Sequence, residues 1–275
     1  MVKISETKAI VVDLDGTLLN DAKQVSQRAM NALLQCNNGM KIVIATARSP
    51  RSIKRMLPIE LLQFGYTIFY NGALTINEIT KEVIHKGMDN EIISTIYPYI
   101  QSFNNKIYTS FEIEDSVYTD RLLTPLQFQV FGASKGELIP PVLLESDFIN
   151  DRFLKMLVPN IDNIYTNLIA EFEGMANTVH TDHGDLILMV KGVSKLSALT
   201  EILSILRVAP KETMVFGDDY NDLCLFQYCG YPVAMGNAIE ELKTIAKRVT
   251  LTNNDSGVGA VLDEVLKGAI YDAKH

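Results

Sequence analysis

Apolar residues gather along this chain in short unbroken runs, separated by stretches in which they recur every three or four positions. Residues 9–13 (AIVVD) form one run, ending in an acid; 41–45 (KIVIA) form a second and 67–70 a third. An unbroken run of this length suits a strand covered on both faces, as in a parallel sheet. Between the first two runs, Ser26 predicts the N-cap of a helix reaching about Cys36, with Met30, Leu33 and Leu34 on one face and Asn38-Gly39 closing it. Ser49-Pro50 opens another helix, because serine caps and proline fits the first helical position. Strand-helix-strand-helix-strand predicts a parallel α/β sheet.

The pattern then changes. Residues 73–84 (ALTINEITKEVI) predict a hairpin around Asn77-Glu78. From there the elements are mixed: a helix near 89–103, strands near 106–118 and 154–158, a helix near 162–173, strands near 176–181 and 185–190, and a turn-rich segment from Gly136 to Pro141. After 191 the alternation resumes, with a helix over 194–207, a strand over Thr213 to Phe216, and a helix over Asp222 to Gln227. A strand over 231–235 follows, then helices over 238–247 and near 258–267. The chain is expected to hold a Rossmann-like parallel sheet with helices on both faces, built from residues 1–83 and 188–275, around an α+β insertion over 84–187.

Composition narrows the function. Lys and Arg number 25 against 33 Asp and Glu, a net charge of -8. An acidic surface repels a phosphate backbone, so nucleic acid is not an expected partner. Any phosphate site must bring its own positive charge, from a metal, a lysine or a helix N-terminus. Cys36, Cys224 and Cys229 are too few and too scattered for a disulfide framework. The first apolar run is too short for a signal-peptide core, and no stretch approaches the roughly 20 apolar residues of a membrane span. A soluble, cytoplasmic protein with no membrane contact and no evident obligate protein partner is expected.

Four short segments carry candidate chemistry. The first strand runs into Asp13-Leu14-Asp15-Gly16-Thr17. Residues two apart on an extended chain point to one side, so both aspartates can face a cleft at the carboxyl end of that strand, where open α/β sheets bind ligands. One carboxylate can attack phosphorus while a metal holds it ionised; the other can give and take protons. A D-x-D-G turn also ends strands for purely structural reasons. The strand at 213–216 runs into Gly217-Asp218-Asp219-Tyr220-Asn221-Asp222, a group of oxygen donors suited to a hard cation or, equally, to capping a helix. Ala45-Thr46-Ala47-Arg48 places a hydroxyl and N–H groups just before a helix, where a phosphate can be held. Gly192-Val193-Ser194-Lys195 brings a lysine to the start of the helix that re-enters the core.

The order and spacing of these segments resemble the haloacid dehalogenase superfamily, and within it the Cof-type phosphatases, whose large α/β cap of type IIB is inserted after the third strand. DLDGT at 13–17, TAR at 46–48, NGA at 71–73, GVSK at 192–195, GDDYND at 217–222 and MGNA at 235–238 carry the resemblance, and TNNDSGVG at 252–259 is similar to the closing segment. The resemblance implies a phosphatase acting on a small phosphorylated metabolite such as a sugar phosphate, a nucleotide or a phosphorylated cofactor. It implies Asp13 as the nucleophile that becomes an aspartyl-phosphate, and Asp15 as the acid that protonates the leaving alcohol and then the base that activates water. It further implies Mg²⁺ held by Asp13, the backbone carbonyl of Asp15 and Asp218. Thr46, Lys195 and Asn221 would bind phosphate, and Asp222, Asp219 and Arg48 would brace the site. The inserted segment would close over the site and choose the substrate.

Two positions depart from the family pattern. Ala47 and Leu196 stand where glycine is frequent, and the bulk of Leu196 bears on how far Lys195 reaches. His180-Thr181-Asp182-His183-Gly184-Asp185 resembles a metal cluster but reads as a turn between two strands. A phosphomutase or other phosphotransferase of the same superfamily would use the same two aspartates. A non-enzymatic sensor of phosphometabolites would be expected to lack one of the carboxylates.

Overall fold

In a computed structural model, the structure describes residues 7–103, 107–129, 140–143, 153–159, 171–172, 174–180 and 184–268. The chain divides into two compact units, Met1–Ile84 with Ser194–His275, and His85–Val193.

The first unit is built on a sheet whose central strands are the apolar runs. They are β1 (Ala9–Asp13), β2 (Lys41–Ala45) and β3 (Tyr66–Phe69), followed by β4 (Leu74–Asn77) and β5 (Val83–His85). Three more strands come from the later part of the chain. In a numbering that counts the five strands of the inserted unit as β6 to β10, these are β11 (Thr213–Gly217), β12 (Tyr231–Ala234) and β13 (Arg248–Val249). The order across the sheet is β13-β12-β11-β1-β2-β3-β4-β5. From β13 to β3 the strands pair in parallel, and β4 adds antiparallel to β3. Ile10, Val11, Val12, Val43, Met214, Val215 and Phe216 are essentially inaccessible to solvent, as strands covered on both faces require.

The sheet order reverses at β1, which has β2 on one side and β11 on the other. Register places Asp13 beside Ala45, and Val12 beside Phe216. The residues after all three strand ends therefore emerge together, at the kind of switch point where α/β sheets bind ligands.

The helices differ from expectation in detail. Gln27–Cys36 buries Ala29, Ala32, Leu33 and Cys36, a stripe with three- and four-residue spacing, while Leu34 is exposed. The helices Ile59–Leu62 and Pro125–Gln129, and the two-residue strand β13, carry too little periodicity to be legible in the sequence. Among the described residues no helix is long and apolar enough to cross a membrane.

The second unit has its own five-stranded sheet of β6 (Ser110–Ile113), β7 (Ser116–Thr119), β8 (Lys155–Val158), β9 (Ala176–His180) and β10 (Leu186–Val190), in the order β7-β6-β8-β10-β9. Among the described residues its strands pair antiparallel. The helix Asn90–Phe103 buries Ile93, Ile96 and Ile100 in the same core as Phe111, Phe153 and Leu188. Phe111 meets Tyr97 and Phe153 edge to face. The expected insertion boundary at 187 falls inside β10, which is paired along its length with β9, so the unit runs on to Val193. The expected helix near 162–173 and the residues Thr181, Asp182 and His183 lie mostly or wholly outside the described residues.

Candidate active site

The site forms where β1, β2 and β11 end. Asp13, the last residue of β1, is 6% exposed. Its Oδ1 accepts a hydrogen bond of 2.6 Å from Lys195 Nζ, and the same ammonium donates to Asp222 Oδ1 at 2.8 Å. Lys195 reaches them because it opens the helix Lys195–Leu206, where Ser194 is the N-cap and forms a capping box with Ser197. That helix start is set against the turn Tyr70–Gly72. A β-carbon on Gly72, whose φ is +110, would lie 2.2 Å from the Ser194 carbonyl oxygen, so only glycine permits the approach. Leu196 does not keep Lys195 from its partners.

Asp218 follows β11 directly. Its Oδ1 accepts from Thr17 Oγ1 at 2.9 Å, and its N–H donates to Asp222 Oδ2 at 3.2 Å. Gly16, with φ +75, passes so close that a β-carbon there would lie 2.0 Å from Asp218 Oδ2. Side-chain oxygens of Asp13, Asp218 and Asp222 come within 4.8 Å of one another. Burial foremost, and then repulsion from Asp222 and Asp218, push the Asp13 carboxyl upward against the attraction of Lys195. Burial foremost takes Asp218 up to about 6. Burial opposes the charge on Lys195, but Asp13 and Asp222 outweigh it and raise its pKa. With all three carboxylates ionised, one ammonium would leave two negative charges over in a partly desolvated space, and that excess helps to push Asp13 and Asp218 upward. A divalent cation with oxygen preference fits that donor set.

Asp15 is placed differently. Its side chain is no part of the carboxylate triad. Oδ2 accepts from Arg48 Nε at 2.5 Å, and Oδ1 from Arg48 Nη2 at 2.7 Å and Lys23 Nζ at 2.8 Å. Burial would raise its pKa, but the hydrogen bonds from Arg48 and then Lys23 outweigh burial and lower it. Arg48 is braced in turn by Ser52 Oγ at 3.2 Å, and its N–H donates to Thr46 Oγ1 at 3.1 Å.

A cavity of about 290 Å³ is lined by Asp13, Asp15, Gly16, Thr46, Ala47, Asp218, Asp219 and Asn221. The structure thus brings Asp13, Asp15, Thr46, Asp218, Asp219 and Asn221 to one space. Lys195 and Asp222 stand behind it, fully buried, and reach it through Asp13 and Asp218. Among the described residues the only group of three metal-competent side chains is Asp13, Asp218 and Asp222.

Several residues at the site belong to the motifs without a role that the sequence itself marks. Thr17 holds Asp218. Asn237 Nδ2 donates to the Gly16 carbonyl at 2.8 Å, and its Oδ1 accepts from the Asn253 N–H at 2.9 Å, so MGNA and the closing segment steady the D-x-D-G loop. Lys23 had no motif at all, and nothing in the sequence marks a lysine eight residues from Asp15 as its partner.

Residues 10–262 match the model of the haloacid dehalogenase-like hydrolases, so the chain belongs to that family. It is 27% identical to phosphatase YwpJ of Bacillus subtilis over 94% of this chain and 100% of that protein. It is 26% identical to 5-amino-6-(5-phospho-D-ribitylamino)uracil phosphatase YitU of the same organism, over 94% and 98%. The crystal structure of TM0651 from Thermotoga maritima superposes with a TM-score of 0.84 at 28% identity, covering 94% and 97%. The resemblance to the Cof-type phosphatases of the haloacid dehalogenase superfamily is borne out, and with it the enzyme class, a phosphoric monoester hydrolase.

Proposed function

We propose that this phosphatase hydrolyses a small phosphorylated metabolite in two steps, with Asp13 as nucleophile and Mg²⁺ as cofactor. The observation that carries the reading is the Asp13 carboxylate itself. Lys195 occupies Oδ1, Oδ2 has no hydrogen-bond partner among the described residues, and Asp13 lines the cavity at the end of β1. The oxygen left over is the one that would attack. In the first step Oδ2 bonds to phosphorus, the ester P–O bond breaks, and the leaving alkoxide takes a proton from Asp15, which Arg48 and Lys23 favour as the carboxylate in the free protein and which must take up that proton as the ester binds. In the second step Asp15 takes a proton from water, the water oxygen bonds to the same phosphorus, and the acyl-phosphate P–O bond breaks to restore Asp13.

Asp13, Asp218 and the Asp15 carbonyl are assigned to hold the cation, with Asp222 bracing Asp218 and Lys195. The bound ion supplies charge neutralisation on the phosphoryl oxygens. Thr46, Asn221 and Lys195 are assigned to the phosphate. The Thr46 hydroxyl, which already accepts from the Arg48 N–H, keeps its proton for donation. Asp219 and Arg48 hold the rim and Asp15. The two carboxylates and the cation leave little covalent work for the rest of the protein, because phosphoryl transfer is mostly positioning and electrostatics.

The substrate class is a phosphate monoester of a metabolite alcohol, a sugar phosphate, nucleotide or phosphorylated cofactor. Support comes from YitU, whose name specifies a phosphoribityl compound. None of the residues assigned to the chemistry falls in His85–Val193, which supports reading that unit as the element that selects among substrates. The test is phosphate release from a panel of such esters with Mg²⁺, followed by acid quenching and peptide mass mapping. A phosphoryl group on the Asp13 peptide is expected; turnover with no phosphorylated enzyme trapped at any time, even with the fastest ester, would remove the covalent step.

A further inference from the structure

The loop Asn20–Gln24 carries a charged side chain that the mechanism above does not use. Lys23 Nζ lies 2.8 Å from Asp15 Oδ1, the oxygen that Arg48 Nη2 also reaches. Lys23 holds φ at 58°, in the left-handed region that a residue with a β-carbon seldom adopts. The loop is built to sustain this. The Lys23 N–H donates to the Asn20 carbonyl at 2.8 Å, the Asn20 N–H to the Gln24 carbonyl at 3.0 Å, and the Gln24 N–H to Asn20 Oδ1 at 2.9 Å. Leu19 and Val25 pair antiparallel across its base. Asp21 is moored from the far end of the chain by Nδ2 of Asn253 at 3.2 Å and of Asn254 at 2.9 Å, and its own N–H donates to Asn254 Oδ1 at 3.1 Å.

A solitary surface ion pair contributes little to stability. A left-handed backbone fixed by this many hydrogen bonds, so that one ammonium meets one carboxylate, points instead to a site constraint. Arg48 grips both oxygens of Asp15 from one side, and by itself lets the carboxylate follow the guanidinium. A second cation, on Oδ1 and from a separately anchored loop, fixes the remaining freedom.

We propose that Lys23 is a positioning residue for Asp15, holding the carboxylate with Arg48 in the orientation that proton transfer to the leaving oxygen requires. The inference rests on the reading of Asp15 as acid and base. Both cations favour the ionised carboxylate, so Asp15 takes up a proton from solvent as the ester binds and passes it to the ester oxygen as the P–O bond breaks; Lys23 sets where the carboxyl group sits and exchanges nothing. Misplacing a reacting group by about an ångström can cost on the order of a hundredfold, so loss of one of two anchors is set at about tenfold.

The experiment compares kcat/KM on two esters with Mg²⁺ present. Glycerol 2-phosphate releases an alkoxide that must be protonated, and p-nitrophenyl phosphate releases a phenolate that needs far less help. The ratio kcat/KM covers steps only through departure of the alcohol, so the later use of Asp15 as base does not enter. Lys23→Met should lower kcat/KM on glycerol 2-phosphate about tenfold and on p-nitrophenyl phosphate by a clearly smaller factor. Lys23→Arg, which keeps the charge, should recover most of the loss. Asp15→Asn is run beside them and should show the same ester preference with a larger fall. Equal losses on both esters for Lys23→Met, no loss on either, or a loss that Lys23→Arg repeats in full would overturn the role of Lys23, while the Asp15→Asn pattern leaves the mechanism standing. If Asp15→Asn strikes both esters alike, or the wild-type protein turns over neither, the reading of Asp15 fails and the inference about Lys23 falls with it.

Discussion

Lys195 Nζ sits 2.6 Å from Asp13 Oδ1, although the two residues are 182 positions apart in the chain. Neither side chain is more than slightly exposed, and the ammonium is shared with Asp222. Removing one partner of a buried ion pair strands the other charge, at a cost of about 3–5 kcal/mol. Lys195→Met should therefore destabilise the metal-free protein by that order, visible as a lower midpoint in chemical denaturation. Mg²⁺ should recover part of the loss, because it supplies positive charge to the same carboxylates. A variant as stable as wild type without metal would mean that Asp13 and Asp222 are not ionised together.

Asp13→Asn keeps the shape of the side chain and removes its nucleophilicity. Turnover of every ester should fall by roughly 10⁴ or more, with the circular dichroism spectrum unchanged. Substantial residual turnover would show that water attacks phosphorus directly and that Asp13 only holds the cation.

Metal dependence can be read without any substrate. A ligand at about tenfold its dissociation constant stabilises the folded state by about 1.4 kcal/mol. Thermal melts of the wild-type protein should rise on titration with Mg²⁺ and return with a chelator. Asp218→Asn should blunt the rise, since the carboxylate beside Asp13 and Asp222 loses its charge. Calorimetric titration of both proteins with Mg²⁺ gives the same comparison independently; equal affinities would remove Asp218 from the cation's ligands.

Gly16→Ala tests the packing of the D-x-D-G loop. The new methyl would lie 2.0 Å from Asp218 Oδ2, and φ is +75. The backbone term alone costs about 1–2 kcal/mol, and Asp218 or the loop must shift as well. Mg²⁺ affinity and kcat/KM should both fall at least about tenfold. An unchanged Mg²⁺ affinity would mean that Asp218 can move away without consequence, and that its close fit against Gly16 is incidental.

Much of this protein is determined by its sequence alone. The apolar runs at 9–13, 41–45, 67–70 and 213–216 define strands because a segment apolar on both faces has nowhere to go but the middle of a covered sheet. Asp13, Asp15, Thr46 and Asp218 were legible because each stands just past such a run, where parallel strands present their carboxyl ends together. The interruption after Asn71 and the return of regular alternation after 191 were likewise visible as a change of period. Only the tertiary structure decided which charges meet. It buried Lys195 between Asp13 and Asp222, drew Asp15 away from the carboxylate triad to Arg48 and Lys23, and tied Asn237 and Asn253 to the Gly16 loop. Hydrophobic periodicity is a local property of the chain and survives in one dimension. A hydrogen bond between residues some 200 positions apart depends on where two backbones are held to within a few tenths of an ångström, and that information exists only once the sheet has set its strand order.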